Sequence, residues 1–285
     1  MRVFRMLPAP LAAELAYRLW WSLGTPERVH PRDADVHARA VRGELEANGK
    51  RVTTYTWGHG SRVILLVHGW RSRGSRFATL VRALEAPDRT VVAFDAPGNG
   101  DSPGRRTSVL DYAAAIHELH ERHGDFEAVV GHSFGVLSSF VAVAEGVGTR
   151  SLVGVSGMHD SASILQQFAR QLALPARVVD RLRGAVERRT FTVVDDPWAR
   201  FATRVEVPVP LLLVHDSTDR VVAPAEADHI HLGHPGPVER LDTDGLGHMR
   251  ILSDPAVVAR IAEFVDRVSA SGTRTRSSAS SRGTP

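Results

Sequence analysis

The chain has 285 residues, 43% of them hydrophobic, enough to bury one large α/β core or two small ones. Its pI of about 9.9 suggests a basic binder, yet the formal net charge is only +3, and Arg274, Arg276 and Arg282 in the acid-free C-terminal tail account for all of it. A basic stripe is therefore excluded as the theme, and nucleic-acid binding with it; the lack of any cysteine excludes disulfides, thiolate chemistry and zinc–cysteine sites and suits a cytoplasmic location.

The chain opens with "MRVFRMLPAPLAAELAYRLWW", in which Pro8, Pro10 and Glu14 interrupt an apolar run already short of the ~18 residues that span a bilayer. Leu11, Leu15, Leu19, Trp20 and Leu23 fall on one stripe, and Glu14 and Arg18 stand four residues apart. This predicts an amphipathic helix docked on the main domain, within a helical extension over residues 1–50; contact with a membrane surface and a signal peptide are the alternatives. Strands and helices then alternate: "RVILLVHG" and "RFATLVRALEA", "TVVAFDAPG" and "SVLDYAAAIHELHERHG", "FEAVVGH" and a helix from Phe134 to Glu145. "RSLVGVSG", "VPLLLVHD", "PVERLDT" and a last helix "DPAVVARIAEFVDRV" follow. Near-continuous apolar strands belong to a sheet covered on both faces, so the predicted fold is α/β, a mostly parallel sheet built from residues 51–156 and 207–268. Residues 157–206 exceed one crossover helix and read as two amphipathic helices broken at Pro175, a small helical cap. Met158, Phe168 and Trp198, with Leu165, Leu172 and Phe201, are candidates to line an apolar substrate pocket or to fill the core between cap and sheet. The Ser-, Gly- and Arg-rich tail 269–285 has no hydrophobic face and is expected to be disordered.

In such sheets chemistry gathers beyond the carboxyl ends of the strands. There "VVGHSFGV" puts Ser133 where a strand turns straight into a helix, with Gly131 and Gly135 removing side chains that would collide with the turn. The Phe134 amide at the helix start, and the Trp70 amide after Gly69, are candidates for a two-donor oxyanion hole. "HDSTDRVVAP" offers both Asp216 and Asp219, and "DTDGLGHMRIL" offers His248 in a glycine-flanked loop. His68, His132 and His215 adjoin strand ends as packing or supporting groups, and His117, His120 and His123 fan across a helix as a solvated face. Arg71, Arg73 and Arg76 either clamp an acidic substrate or form a charged surface loop.

Taken together, "LLVHGW", "FDAPGNGDSPG", "VVGHSFG", "LLLVHDSTDRVVAP" and "GLGHMRIL" resemble the serine-hydrolase, esterase-like branch of the α/β-hydrolase superfamily over about residues 51–268. The resemblance implies Ser133 as nucleophile, His248 as base, Asp219 as the acid that orients it, and the amides of Trp70 and Phe134 as oxyanion donors. It implies acyl transfer on a small-molecule ester or thioester through an acyl-enzyme, with no metal or organic cofactor. Asn99 stands where many members carry histidine, at a turn outside the triad. A binding or signalling protein that keeps the fold without turnover is the competing class.

Overall fold

The computed structural model describes residues 3–192 and 194–280. Its centre is an eight-stranded sheet of β1 (Val41–Ala47), β2 (Lys50–Gly58), β3 (Arg62–Val67), β4 (Arg89–Asp95), β5 (Ala128–His132), β6 (Leu152–Val155), β7 (Leu211–Asp216) and β8 (Val238–Thr243). They lie in the order β1-β2-β4-β3-β5-β6-β7-β8; the pairs β1–β2 and β2–β4 are antiparallel and all others parallel. The period of two divides each inner strand between two cores. Val63, Leu65 and Val67 face one side with the helices Val109–His123 and Phe134–Ala144; Ile64 and Leu66 face the other with Ala78–Leu84 and the helix that begins at Pro255.

Three expectations need correction. The helical extension over residues 1–50 ends at Arg39, because Val41–Ala47 pairs with β2 as an edge strand. Asn48 and Gly49 join the two strands, both with positive φ (52° and 69°), as a two-residue hairpin turn that matches the strand twist demands. In the N-terminal helix Ala9–Trp20 the leucine stripe faces outward: Leu11, Leu15 and Leu19 are exposed, while Ala12, Ala13, Ala16 and Tyr17 are buried. The helix lies on the insert helix Ala176–Thr190 rather than on the sheet, and three alanines permit that close approach. Tyr17 and Thr190 share a hydrogen bond of 3.1 Å, and Arg189 bonds Glu14 at 2.6 Å. Lastly, the final helix continues to Ser280, since no proline interrupts its backbone ladder, so the stretch expected to be disordered is helical from 269 to 280; residues 281–285 lie outside the described residues.

The insert forms the helices Ser161–Leu172 and Ala176–Thr190 with a short third helix, Pro197–Arg200. Asp160 caps the first by accepting from the Ser163 amide at 2.7 Å, and Ala173 ends it in the left-handed region (φ 50°) just ahead of Pro175. No helix of the described residues is long and apolar enough to cross a membrane.

Candidate active site

Ser133 lies between β5 and the helix Phe134–Ala144 with φ 56° and ψ −120°, a strained conformation for a residue with a Cβ. The flanking glycines are sterically required: a Cβ on Gly131 would lie 2.8 Å from the Gly135 carbonyl carbon, and one on Gly135 only 2.1 Å from the Val67 carbonyl oxygen. The Ser133 amide bonds the Val155 carbonyl at 2.9 Å, fixing the turn to β6. Phe134 is the first helical residue, so its amide has no carbonyl of its own helix to meet. Gly69 brings the loop after β3 against this turn; a Cβ there would stand 3.0 Å from the Ser133 Cβ, and Trp70 follows at once. His68 holds that loop. Its Nε2 accepts from the Ala96 amide at 2.9 Å, so its Nδ1–H donates to the Gly69 carbonyl at 2.7 Å, and burial keeps the ring below the usual histidine range and neutral.

The two aspartates after β7 divide their work. Asp219, fully buried, takes the amides of Val221 and Val222 on one oxygen at 2.8 and 2.9 Å and His248 Nδ1 on the other at 2.7 Å. Burial raises its pKa, but the hydrogen bonds from His248, Val222 and Val221 outweigh that and keep it a carboxylate. Asp216, also fully buried, accepts from the Thr218 amide and hydroxyl, the Thr243 hydroxyl and the amides of Leu246 and Gly247 at 2.5–3.0 Å. Against the upward pull of burial, these donors hold its carboxyl well below the ordinary range. It thereby ties down the loop that presents His248. A further tie is His132, whose Nε2–H donates to the His248 carbonyl at 3.0 Å while its buried Nδ1 has no partner among the described residues. Burial first, then the neighbouring His248, pushes the His132 pKa down to about 3.

Ser133 and His248 open into one cavity of about 660 Å³. Trp70 and Phe134 line it with their rings edge to face, centroids 5.4 Å apart, and Met158, Phe168 and Trp198 line it as well. The N-terminal segment also contributes, through Leu19, Trp20, Trp21 and Ser22, and Trp20 meets Phe168 edge-on at 5.1 Å across the cavity wall. Sequence reasoning missed this wall; the Trp20–Trp21 pair was the only visible signal. Of the three arginines after Trp70, Arg73 is buried against Asp101 and Asp95 (3.1 and 3.5 Å) and Arg76 bonds Glu27, whereas Arg71 lines the cavity. Asn99 is buried in its turn, donating to the Ala96 and Pro97 carbonyls at 3.4 and 3.2 Å, away from the cavity.

A family model described as the alpha/beta hydrolase fold matches residues 62–195, from β3 through most of the insert. No curated protein matches the chain by sequence. Among solved structures it is similar to the mouse alpha/beta hydrolase domain-containing protein 10, at 15% identity and TM-score 0.62 over 80% of this chain and 98% of that one. It is also similar to the Pyrococcus furiosus esterase Pf2001 (19%, TM-score 0.59, 87% and 98%) and to a Mycobacterium smegmatis proline iminopeptidase (14%, TM-score 0.58, 81% and 100%).

Proposed function

The chain has the α/β-hydrolase fold, and from that premise we propose that it is a serine hydrolase that cleaves carboxylic esters or thioesters through an acyl-enzyme. One observation carries the reading. A strained serine at a helix N-terminus shares a cavity with a histidine whose far ring nitrogen is bound to a buried carboxylate. In this reading His248 takes the Ser133 hydroxyl proton on Nε2 as Oγ attacks the ester carbonyl, and Asp219 fixes the tautomer and stabilises the imidazolium. The oxyanion is met by the amides of Trp70 and Phe134, at the positive end of the helix dipole. Collapse expels the alcohol, which receives the proton from His248. A water activated by the same histidine then releases the acid and restores the serine. The largely apolar lining, with Met158, Phe168 and Trp198 among it, supports uncharged acyl or alcohol groups of small to medium size as the part of the substrate held inside.

Fluorophosphonate labelling followed by an ester panel tests this. Wild type should label and turn over, and Ser133→Ala should lose the label and ~10³-fold or more in kcat while keeping its melting temperature. Folded wild-type protein that neither labels nor turns over esters would instead be a binding protein on a hydrolase fold.

A further inference from the structure

Arg71 is an unusual resident of this cavity. It is the only lysine or arginine among the lining residues, no aspartate or glutamate lines the cavity with it, and no carboxylate of the described residues pairs with it. Its two neighbours in "RSRGSR" have found carboxylates; Arg71 remains exposed at the rim. Yet it is held. Its backbone is in the left-handed region (φ 58°), and its Nε–H donates to the Leu23 carbonyl at 2.8 Å. Gly24 has to be glycine for the side chain to lie there: its φ is +68°, and a Cβ would come within 2.5 Å of Arg71 Nη2. A guanidinium fixed by one N–H retains donors in fork geometry for an anion. It follows Gly69 by two residues in the loop packed against the Ser133 turn, while its bond to Leu23 holds the exposed guanidinium at the N-terminal segment, on the solvent side of the cavity.

We propose that Arg71 is a specificity-determining residue, which recognises a carboxylate on the end of the substrate that projects from the cavity. The substrate class is then an amphiphilic ester, apolar in its middle and singly anionic at its far end. One cation flanked by neutral Ser22 and Ser72 matches a single negative charge, and the apolar lining deeper in takes the chain between. This rests on the serine-hydrolase reading of the same site.

The test uses 4-nitrophenyl monoesters of linear dicarboxylic acids of about six to ten carbons, each compared with its isosteric terminal amide. Wild type should prefer the carboxylate by about tenfold in kcat/KM, expressed mainly in KM and shrinking as salt rises. Arg71→Gln should bring the ratio to about one, Arg71→Glu should invert it, and Arg71→Lys should retain part of it. A wild-type ratio at or below one overturns the proposal. So does a ratio that survives in Arg71→Gln, or a fall of both substrates together, which would mean that Arg71 only braces the loop. Should Arg71→Gln fail to fold, the wild-type ratio with its salt dependence, and Arg71→Lys, still decide. Turnover of the amide-tailed ester and labelling of Ser133 report separately on whether the serine-hydrolase reading stands.

Discussion

Beneath the cavity, Ser133, Asp219 and His248 sit on loops after β5, β7 and β8 that are pinned by backbone amides and buried carboxylates and, around Ser133, by glycines with no room for a Cβ. The roof is made differently. The N-terminal helix and the insert meet through an alanine face, edge-on aromatic rings and ion pairs that reach solvent. On the proposed function, the difference separates chemistry from selection. Floor geometry is over-determined, as a site for reacting atoms that tolerate little displacement requires, whereas the roof encloses volume and can be re-cut by single side chains.

Replacing the two aspartates probes the floor from within and carries the largest expected effect. Asp219→Asn removes the acceptor that fixes the His248 tautomer and is expected to lower kcat by ~10³–10⁴-fold with little change in melting temperature. Asp216→Asn leaves several buried donors poorly matched and is expected to cost about 1–3 kcal/mol of stability, with kcat within about tenfold of wild type. Kinetics and thermal melts on both variants check the division; a catalytic collapse confined to Asp216→Asn would exchange the two roles.

The same contrast explains what the sequence made readable. The floor was legible because each requirement is local: glycines two positions either side of Ser133, an aspartate three residues past the end of β7, a histidine in a glycine loop after β8. The roof was not, because its partners are distant in sequence. Leu11, Leu15 and Leu19 predict a buried stripe, but the face against Ala176–Thr190 is taken by Ala12, Ala13, Ala16 and Tyr17, so the leucines lie outside it and Leu19 and Trp20 reach the cavity. The β1–β2 hairpin has a local signal in Asn48–Gly49, the pair that takes positive φ at its turn, but that signal stands alone, without an alternating apolar pattern in Val41–Ala47 strong enough to mark the strand before it.

A smaller effect is expected from cutting the roof. Trp20→Ala opens the wall against Phe168 without touching the floor. It should shift the ranking of acyl chain lengths by about tenfold in kcat/KM toward longer chains, while Ser133 labels at the wild-type rate. An unchanged ranking in folded protein would show that this wall does not limit the substrate.

The smallest effect gives each region its own pH signature through one histidine. In the roof, His159 joins the start of the insert to the helix Ala225–Gly233: its Nε2 lies 3.2 Å from Asp160, its Nδ1 2.7 Å from Glu226, and His229 stacks on it at 4.5 Å. The hydrogen bonds to Asp160 and then Glu226 raise its pKa from 6.5 to about 9, beyond the opposing effect of burial. The folded state therefore holds the proton more tightly than the unfolded chain. The stabilisation is complete below pH 6.5 and is lost as pH rises through about 9, on the order of 1–2 kcal/mol once solvent screening of this partly exposed pair is allowed for. His132 on the floor has the opposite sign. Its pKa falls from 6.5 to about 3, so the unfolded chain binds the extra proton and stability declines as pH drops from 6.5 toward 3. Melting temperatures measured from pH 4 to 10 should thus fall at both ends; His159→Gln should flatten the alkaline limb and, by releasing the Asp160 and Glu226 carboxyls that His159 holds low, also weaken the acid limb, whereas His132→Asn should flatten the acid limb and leave the alkaline one. If His159→Gln left the alkaline limb unchanged, the link between insert and core would not depend on that proton, whatever the variant does to the acid limb through Asp160 and Glu226.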